Sequence, residues 1–287
     1  MGTRPNPYIN RVLNRAFLGT SSYHALNASF VKRLSYGLQF KTNYTYAKVM
    51  DMNSQLDTAY SQNTPSTVQN AYNLGLSKGP ASFNLKHQFN TSYSYQLPFG
   101  SGQPWGSGAT GVLNHLISGW QWNGILTLQS GFPFSPTVGS NRSGTGDTGN
   151  PDVPNVVPGR DRESVTSGVS TGCGNVAAGT PVGTPNLWFD PCAFELPTAG
   201  TYGNSGRNQY LSPGLASFDT SFFKAFSIRE GMNLQFRAEA FNLLNHSNFV
   251  SPRLGVFTGA NRSTSAALIN RTSTTSRQLQ FALKLTF

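Results

Sequence analysis

The side chains that could carry chemistry are few and lie far apart along the chain. Four histidines have neither a cysteine nor a carboxylate at the spacing that metal ligands show: they are His24, His87, His115 and His246. Acidic residues between positions 147 and 163 could gather a cation through oxygen ligands, but their spacing matches no defined calcium loop. We therefore expect no metal, no cofactor and no enzymatic activity.

Two glycine-rich stretches, residues 106–111 and 144–149, match the pattern G-x-G-x-x-G. Dinucleotide binding through this pattern needs a strand before it and a helix after it, so that the helix N-terminus faces the pyrophosphate. Pro151 and Pro154 follow the second stretch, and a strand is predicted soon after the first. The pattern therefore favours flexible loops over a nucleotide site.

The two cysteines, Cys173 and Cys192, lie in one region rich in glycine and proline. Their surroundings lack the spacing and the histidine partners of a metal site. In an exported protein such a pair predicts a disulfide within a loop. Two free thiols are the alternative.

Composition narrows the class of protein. Charged residues make up 11% of the chain, and the mean hydropathy is −0.31. Soluble domains contain about 25% charged residues. No apolar run is long enough for a membrane helix, whereas alternating barrel strands escape hydropathy windows. The net charge of +10 forms no basic cluster, so we expect no nucleic-acid partner. The positive net charge is explained equally well by basic residues at the barrel ends that face lipopolysaccharide, or simply by solubility.

In the last eleven residues, 277–287, every second position from Leu279 to Phe287 is apolar, and the positions between them are mostly polar. In an outer-membrane barrel, an apolar face meets lipid, the polar face meets the lumen, and closure removes the edge. The apolar positions are those that we interpret as a barrel-assembly signal: Leu279, Phe281, Leu283, Leu285 and Phe287.

The same alternation, looser in places, recurs along the chain and predicts an all-β fold. Strands are predicted over residues 22–34, 38–47, 82–97, 117–130, 216–227 and 232–244, in addition to the last strand. Residues 1–20 form a poorly defined lead-in with a further strand over residues 9–17. Trp120 and Trp122 begin one strand, as girdle aromatics at a membrane interface would. Seven or eight antiparallel strands therefore form a transmembrane barrel segment.

The connections between these strands alternate in length. Counting back from the end, they are long, short, very long, medium, long and short, and residues 131–215 form the longest. Outer-membrane barrels have short periplasmic turns and longer outer loops. The order therefore supports a membrane barrel and predicts that residues 131–215 form a long outer loop.

Charged residues on the polar side of the predicted strands form a separate group. They are Lys41, Lys86, Arg237, Glu239 and Lys284. Charges on a lumen face must meet water, another protein segment or one another. We consider two interpretations, a docking wall for a plug domain and ordinary solvation in the lumen.

Several segments resemble the TonB-dependent receptors of the Oar-like type. They are Arg4-Pro-Asn-Pro7, Ser22-Tyr-His-Ala-Leu26 with Lys32-Arg33, Tyr95-Gln-Leu-Pro-Phe-Gly100, Gly119-Trp-Gln-Trp-Asn-Gly-Ile-Leu126 with Gln129-Ser-Gly-Phe-Pro-Phe134, Trp188-Phe-Asp-Pro191, Gly203-Asn-Ser-Gly-Arg-Asn208, and Leu234-Gln-Phe-Arg-Ala-Glu-Ala-Phe-Asn242 with Asn245 and Asn248-Phe249. Their order and spacing together carry the resemblance, which covers most of the chain.

This resemblance implies that residues 1–287 are the C-terminal portion of a 22-stranded barrel in the bacterial outer membrane. The implied parent protein also has a signal peptide, a plug domain and a TonB-contacting segment, which this sequence does not display. The implied partners are outer-membrane lipid, lipopolysaccharide and the barrel-assembly machinery, with the plug and TonB reached through the parent. Energy-coupled transport then belongs to the parent protein.

Two other functions remain open at this point. One is a self-contained eight-stranded outer-membrane barrel, an adhesin or a small porin, which needs the strand over residues 9–17. The other is a secreted β-sandwich that binds carbohydrate through its tryptophans, namely Trp105, Trp120, Trp122 and Trp188.

Overall fold

The computed structural model describes residue 8 and residues 18–54, 68–70, 72–145 and 152–287. Long strands dominate these ranges, with short strands, two short helices and two 3₁₀ turns between them. The strands are β1 (Ser21–Ser35), β2 (Leu38–Asp51), β3 (Gly79–Pro80), β4 (His87–Gln96), β5 (Trp120–Gln129), β6 (Pro133–Phe134), β7 (Asn155–Val156), β8 (Phe194–Glu195), β9 (Tyr210–Leu211), β10 (Leu215–Arg229), β11 (Met232–Phe241), β12 (Phe257–Thr258), β13 (Asn261–Arg262) and β14 (Gln278–Thr286). The helices are α1 (Gly111–Ile117) and α2 (Arg162–Thr166), and the 3₁₀ turns are Leu74–Ser77 and Pro191–Ala193.

Seven long strands form one sheet in the order β1-β2-β4-β5-β10-β11-β14, and short β3 joins it beside β2. Every neighbouring pair is antiparallel, and each long strand pairs with the next one in the chain. The antiparallel all-β prediction is confirmed, and the seven long strands fall where alternation predicts them. The further strand predicted over residues 9–17 lies outside the described residues.

The connections emerge at the two ends of the sheet according to their length. Tight turns at residues 36–37 and 230–231 lie at one end, and Tyr36 and Gly37 both have positive φ, as primed hairpin turns require. The connections 52–86, 130–214 and 242–277 all leave the opposite end. The predicted alternation of short and long connections is therefore a property of the fold.

Two predicted strands are longer than the strands that the structure contains. Residues 82–86 leave the regular strand pairing, and the Asn84 side-chain oxygen accepts a hydrogen bond from the Val49 amide at 2.7 Å in place of a backbone carbonyl. Strand β4 consequently begins at His87, and Lys86 lies in a bend before it. The predicted strand 117–130 begins three residues too early. Ile117 is the last residue of helix α1 (Gly111–Ile117), and β5 begins at Trp120.

The two connections 130–214 and 242–277 fold together into a body that we call the cap, formed by residues 131–145, 152–214 and 248–272. It contains the strand pairs β6–β9, β7–β8 and β12–β13. Its core unites apolar side chains from distant parts of the chain: Phe134, Val138, Val165, Val182, Leu187, Phe189, Ala193, Phe194, Tyr210, Val256, Phe257 and Ala267. The stretch predicted as one long loop therefore has its own hydrophobic core.

Gly124, on β5, leaves room for the ring of Tyr93 from the neighbouring strand β4 to lie over it. A Cβ at Gly124 would lie 2.6 Å from the Tyr93 ring, which occupies the space above this residue. The ring makes an edge-on contact with Trp122 at 5.0 Å between centroids. Gly124 therefore lets aromatic side chains on β4 and β5 pack closely over the strand pair.

Candidate functional site

The strand register gives the sheet one apolar face and one polar face. Directly opposed residues lie on the same face, so the apolar face can be followed from strand to strand. One row crosses Phe89, Leu128 and Ala216, and another crosses Phe236 and Leu283. The apolar face is continuous from β1 to β14.

Aromatic side chains are concentrated on this face near the end with the tight turns. Trp122 stacks on Phe222 with 6.0 Å between centroids, and its indole N–H donates to Thr220 Oγ1 at 2.7 Å. The indole N–H of Trp120 donates to the Leu116 carbonyl oxygen at 2.9 Å. These two tryptophans lie apart from Trp188, whose indole N–H donates to Leu211 within the cap. They do not form a shared carbohydrate-binding surface with it.

Lys224 is a charged residue on the apolar face, and the alternation pattern marks it only as an interruption. Its side chain is 2% exposed, and its Nζ lies 5.4 Å from the centroid of Trp120 and 4.9 Å from that of Phe226. Nζ donates a hydrogen bond to the Ser118 carbonyl oxygen, beyond the start of β5. The amine thus extends along aromatic rings toward the strand end, as snorkelling lysines do.

The predicted assembly-signal residues occupy the outermost strand. Leu279, Phe281, Leu283 and Leu285 lie in β14 on the apolar face, opposite Ala240, Ala238, Phe236 and Leu234, and Phe287 follows the strand. Phe281 and Leu283 are each 69% exposed. Exposed leucine and phenylalanine along a whole strand face are typical of a surface that contacts lipid.

Four of the five predicted lumen-facing charges lie on the polar face of the strands, and they do not form one cluster. Lys41 lies on β2, Arg237 and Glu239 on β11, and Lys284 on β14. Strands β4, β5 and β10 separate Lys41 from the others, and Lys86 lies outside the strands. The structure therefore brings together only the three charges on β11 and β14.

Arg237 is the most constrained of these three residues. Its guanidinium carbon lies 5.1 Å from the centroid of the Phe223 ring, and its Nε donates to Gln235 Oε1 at 2.8 Å. Gln235 is opposite Lys284 in the register, and Arg237 is opposite Ala282. Two cations therefore occupy neighbouring positions on the polar face at the β14 edge.

Cys173 and Cys192 are joined by a disulfide in the cap, with 5.5 Å between their Cα atoms. Next to it, the fully buried Asp190 accepts hydrogen bonds from the Ser170 hydroxyl at 2.7 Å and from the Cys192 amide at 3.0 Å. Its other carboxylate oxygen lies 2.5 Å from Arg160 Nη2. The segment Trp188-Phe-Asp-Pro191 thus contains the polar centre of the cap.

Ser170 lies in the segment Gly168-Val-Ser-Thr-Gly172, which has the spacing of a nucleophile elbow. An elbow needs a preceding strand, a following helix and an exposed hydroxyl. Here helix α2 precedes the segment, and Ser170 is 2% exposed and hydrogen-bonded to Asp190. The arrangement supports the cap and does not present a nucleophile.

The segment Gly203-Asn-Ser-Gly-Arg-Asn208 fastens the cap to the end of β2. The Arg207 guanidinium donates to Asp51 Oδ1 at 2.6 Å and to Ser54 Oγ at 2.5 Å. Asn208, with a positive φ of 55°, donates through Nδ2 to the Pro80 carbonyl oxygen at 2.7 Å. The ion pair between Arg207 and Asp51 is almost completely buried. These motif residues are therefore structural anchors.

Three asparagines after β11 organise the connection to β14. The Asn248 side chain pairs with the Ala216 backbone, accepting from its amide at 2.8 Å and donating to its carbonyl oxygen at 3.0 Å. Asn242 accepts from the His246 amide, and Asn245 accepts from the Arg277 amide. The family resemblance includes these three asparagines. Only the structure shows that their side chains make hydrogen bonds to backbone groups of other segments.

Four groups in the cap, Asp161, Tyr202, Tyr210 and Arg262, have shifted pKa values. Burial in the core raises the pKa of the Tyr210 hydroxyl above its ordinary value. The backbone amide of Ser164, together with the Ser164 hydroxyl, lowers the pKa of Asp161, which caps helix α2. Tyr210 contacts the rings of Phe134 and Phe194, so its shift belongs to the core of the cap.

The remaining chemical motifs lie apart from one another. Helix α1 follows the glycines at 106–111, but turns and bends precede them where dinucleotide binding needs a strand. His87 is the first residue of β4, with its Nδ1 2.8 Å from the Tyr44 hydroxyl oxygen. Within the described ranges, no three His, Cys, Asp or Glu side chains gather as metal ligands. None of the described helices has the length and apolar character to cross a membrane.

The model of a protein family described as "Outer membrane beta barrel domain" matches residues 2–280. No curated protein and no solved structure matches the chain.

Proposed function

Because this chain belongs to the outer membrane β-barrel domain family, we propose that it is the C-terminal wall segment of a TonB-dependent receptor of the Oar-like type. Membership of the family means that the chain resides in the bacterial outer membrane as part of a barrel. The apolar face of the sheet then contacts lipid, and the polar face lines the lumen. The cap lies on the outer side, since the tight turns mark the periplasmic end.

The observation that carries the proposal is the open wall of seven long strands. Among the described residues, β1 pairs only with β2, and β14 pairs only with β11. With seven antiparallel strands, β1 and β14 run parallel to each other, whereas single-chain bacterial barrels close with an even number of antiparallel strands. Further strands are therefore needed to close a barrel, as in the large barrel of a receptor.

The chain's own contribution is the barrel wall and the outer surface that a substrate meets first. The polar groups of the cap hold the cap together: Asp190 is bonded to Arg160 and Ser170, and Arg207 is bonded to Asp51. We therefore propose a non-enzymatic role without a cofactor. The proposed partners are lipopolysaccharide, the barrel-assembly machinery, and the plug and TonB through the parent protein.

The plug contact that we propose lies at the β14 edge of the polar face, where Arg237 and Lys284 are neighbours. Reversing both charges, with Arg237→Glu and Lys284→Glu, should weaken retention of the plug in a full-length homologue. The measurement is the plug fraction that remains in the barrel after a denaturant step that leaves the barrel folded.

The matched control is Arg253→Glu, which reverses an exposed charge in the cap. It should leave plug retention unchanged. Equal retention in the double variant and the wild type would exclude the docking wall and leave solvation in the lumen as the role of these charges.

An antiserum against residues 277–287 tests the proposal as a whole. Cells of the source are fractionated, and the native polypeptide is sized and applied to an immobilised TonB periplasmic domain. We expect an outer-membrane band of roughly three times the 31.0 kDa of this chain, as a 22-stranded barrel needs, retained on TonB. A 31.0 kDa outer-membrane band that TonB does not retain would instead support the self-contained eight-stranded barrel.

A further inference from the structure

One periplasmic connection is unlike the two tight turns beside it. Residues 97–119, between β4 and β5, contain helix α1 and extend well beyond a hairpin turn. No Asp, Glu, Lys or Arg occurs in this segment. A periplasmic connection in water would be expected to carry charged side chains. Their absence indicates that part of this connection lies in surroundings other than water.

Helix α1 is amphipathic, and its apolar side is uncovered. Val112, Leu113 and Leu116 lie on one side of the helix and are 75%, 58% and 58% exposed. On the other side, the Asn114 side-chain oxygen accepts a hydrogen bond from the Ser101 amide at 2.7 Å. Trp105, which packs on Phe99, is 61% exposed and adds an aromatic ring to the uncovered surface of the connection.

The C-terminal end of α1 is attached to the apolar face of the sheet. The Leu116 carbonyl oxygen accepts from the Trp120 indole N–H at 2.9 Å. The Ser118 carbonyl oxygen, just after the helix, accepts from the Lys224 amine. Trp120 and Lys224 both lie on the apolar face of the sheet, where the Lys224 side chain is covered. The uncovered side chains of α1 are therefore continuous with a surface that is already in contact with the membrane.

We propose that α1 is an interfacial anchor that lies in the inner leaflet of the outer membrane. Val112, Leu113, Leu116 and Trp105 enter the boundary between headgroups and acyl chains, where amphipathic helices bury an apolar face to a depth of about 5–10 Å. The absence of charge fits a zwitterionic phospholipid surface, because attraction to anionic lipid would need lysine or arginine on the polar side. This inference uses the outer-membrane location and does not depend on TonB coupling.

An environment-sensitive fluorophore on Leu113→Cys tests the anchor. The native polypeptide, purified from the outer membrane, is reconstituted in phosphatidylcholine vesicles. Both native cysteines are in the disulfide, so the introduced thiol is the only free one among the described residues. We expect strong quenching by lipids that carry a nitroxide near the headgroup, and protection from iodide in the water phase.

The control label is Tyr36→Cys, in the tight turn at the same end of the sheet, where the side chain is 98% exposed. Its fluorescence should be quenched by iodide and not by the nitroxide lipids. A second label at Val112→Cys guards against disturbance by the first and should behave like the Leu113 label. Iodide quenching at Leu113 equal to that at Tyr36 would overturn the proposal, and so would protection from iodide without lipid quenching, which indicates a protein partner.

Discussion

Asp190 is the residue on which the cap depends most directly. Its buried carboxylate is bonded to Arg160, Ser170 and the Cys192 amide. Replacing it with alanine removes one partner of a buried ion pair, a change that costs about 3–5 kcal/mol. Asp190→Ala should therefore lower the free energy of cap opening, measured by hydrogen exchange of cap amides in the purified outer-membrane protein.

The control for this change is Glu163→Gln, which neutralises an exposed carboxylate on helix α2 close to the same site. It should leave the exchange rates of the cap amides as they are in the wild type. Similar exchange in Asp190→Ala and Glu163→Gln would show that the Asp190 bonds add little to cap stability.

Tyr210 gives the cap a predicted sensitivity to alkaline pH. Burial raises its folded pKa, so the cap is fully stable below the unfolded value of about 10. As pH rises from that value toward the folded pKa, stability falls by about 1.4 kcal/mol for each pH unit. Tyr210→Phe should move the alkaline loss of near-ultraviolet circular dichroism to higher pH.

Tyr72→Phe, at a fully exposed position outside the cap, should leave the alkaline transition where it is. If Tyr210→Phe also left it unchanged, another group would be responsible for alkaline opening.

Sequence motifs identified the anchoring residues without revealing their roles. The asparagines at 242, 245 and 248 belong to one motif, yet nothing in their spacing shows that Asn248 pairs with the Ala216 backbone across 32 residues. Arg207 likewise reaches Asp51, 156 positions away. Such contacts depend on the folded path of the cap, which no local pattern encodes.

At the scale of elements, β14 shows how sharply the two faces of a strand differ. Leu283 faces lipid, and its neighbour Ala282 faces the lumen beside Arg237. Leu283→Lys places a charge in the bilayer, where lysine near the midplane costs about 2–4 kcal/mol. We expect this loss in the free energy of unfolding, measured by denaturant titration of the native polypeptide in vesicles.

Ala282→Lys introduces the same side chain one position away, on the polar face, and should change that free energy much less. Equal losses from the two substitutions would contradict the assignment of the faces.

The long strands were predictable because alternation is a local signal that a two-faced sheet imposes on every strand. The alternation predicts too long a strand where a polar side chain accepts a hydrogen bond from the neighbouring strand's backbone, as Asn84 does from Val49. The predicted strand 117–130 also began too early, because its first residue, Ile117, is the last residue of helix α1. The cap was not predictable, because its core joins residues from 134 to 267 through long-range contacts.

For the whole molecule, the open edges of the sheet predict how this chain behaves alone. In the part of the chain that the structure describes, no strand pairs with the outer side of β1 or of β14, and lipid cannot satisfy the backbone groups there. Exported by itself with an added signal peptide, the chain of residues 1–287 should not form a closed barrel. We expect full protease sensitivity and no mobility shift on heating in gel electrophoresis.

The native polypeptide from the outer membrane serves as the control and should show both protease resistance and the heat-dependent shift. A protease-resistant, heat-modifiable species from residues 1–287 alone would favour the self-contained barrel.

The disulfide between Cys173 and Cys192 bears on the order of events in biogenesis. Thiols stay reduced in the cytoplasm and are oxidised in the periplasm. The two cysteines are only 19 positions apart, so they can pair as soon as this stretch emerges from the inner membrane. Secretion therefore presents the assembly machinery with a segment that is already cross-linked. During insertion, residues 173–192 must then reach the cell surface as a covalent loop closed by the disulfide. The barrel that is being assembled must be wide enough for this loop to pass through it.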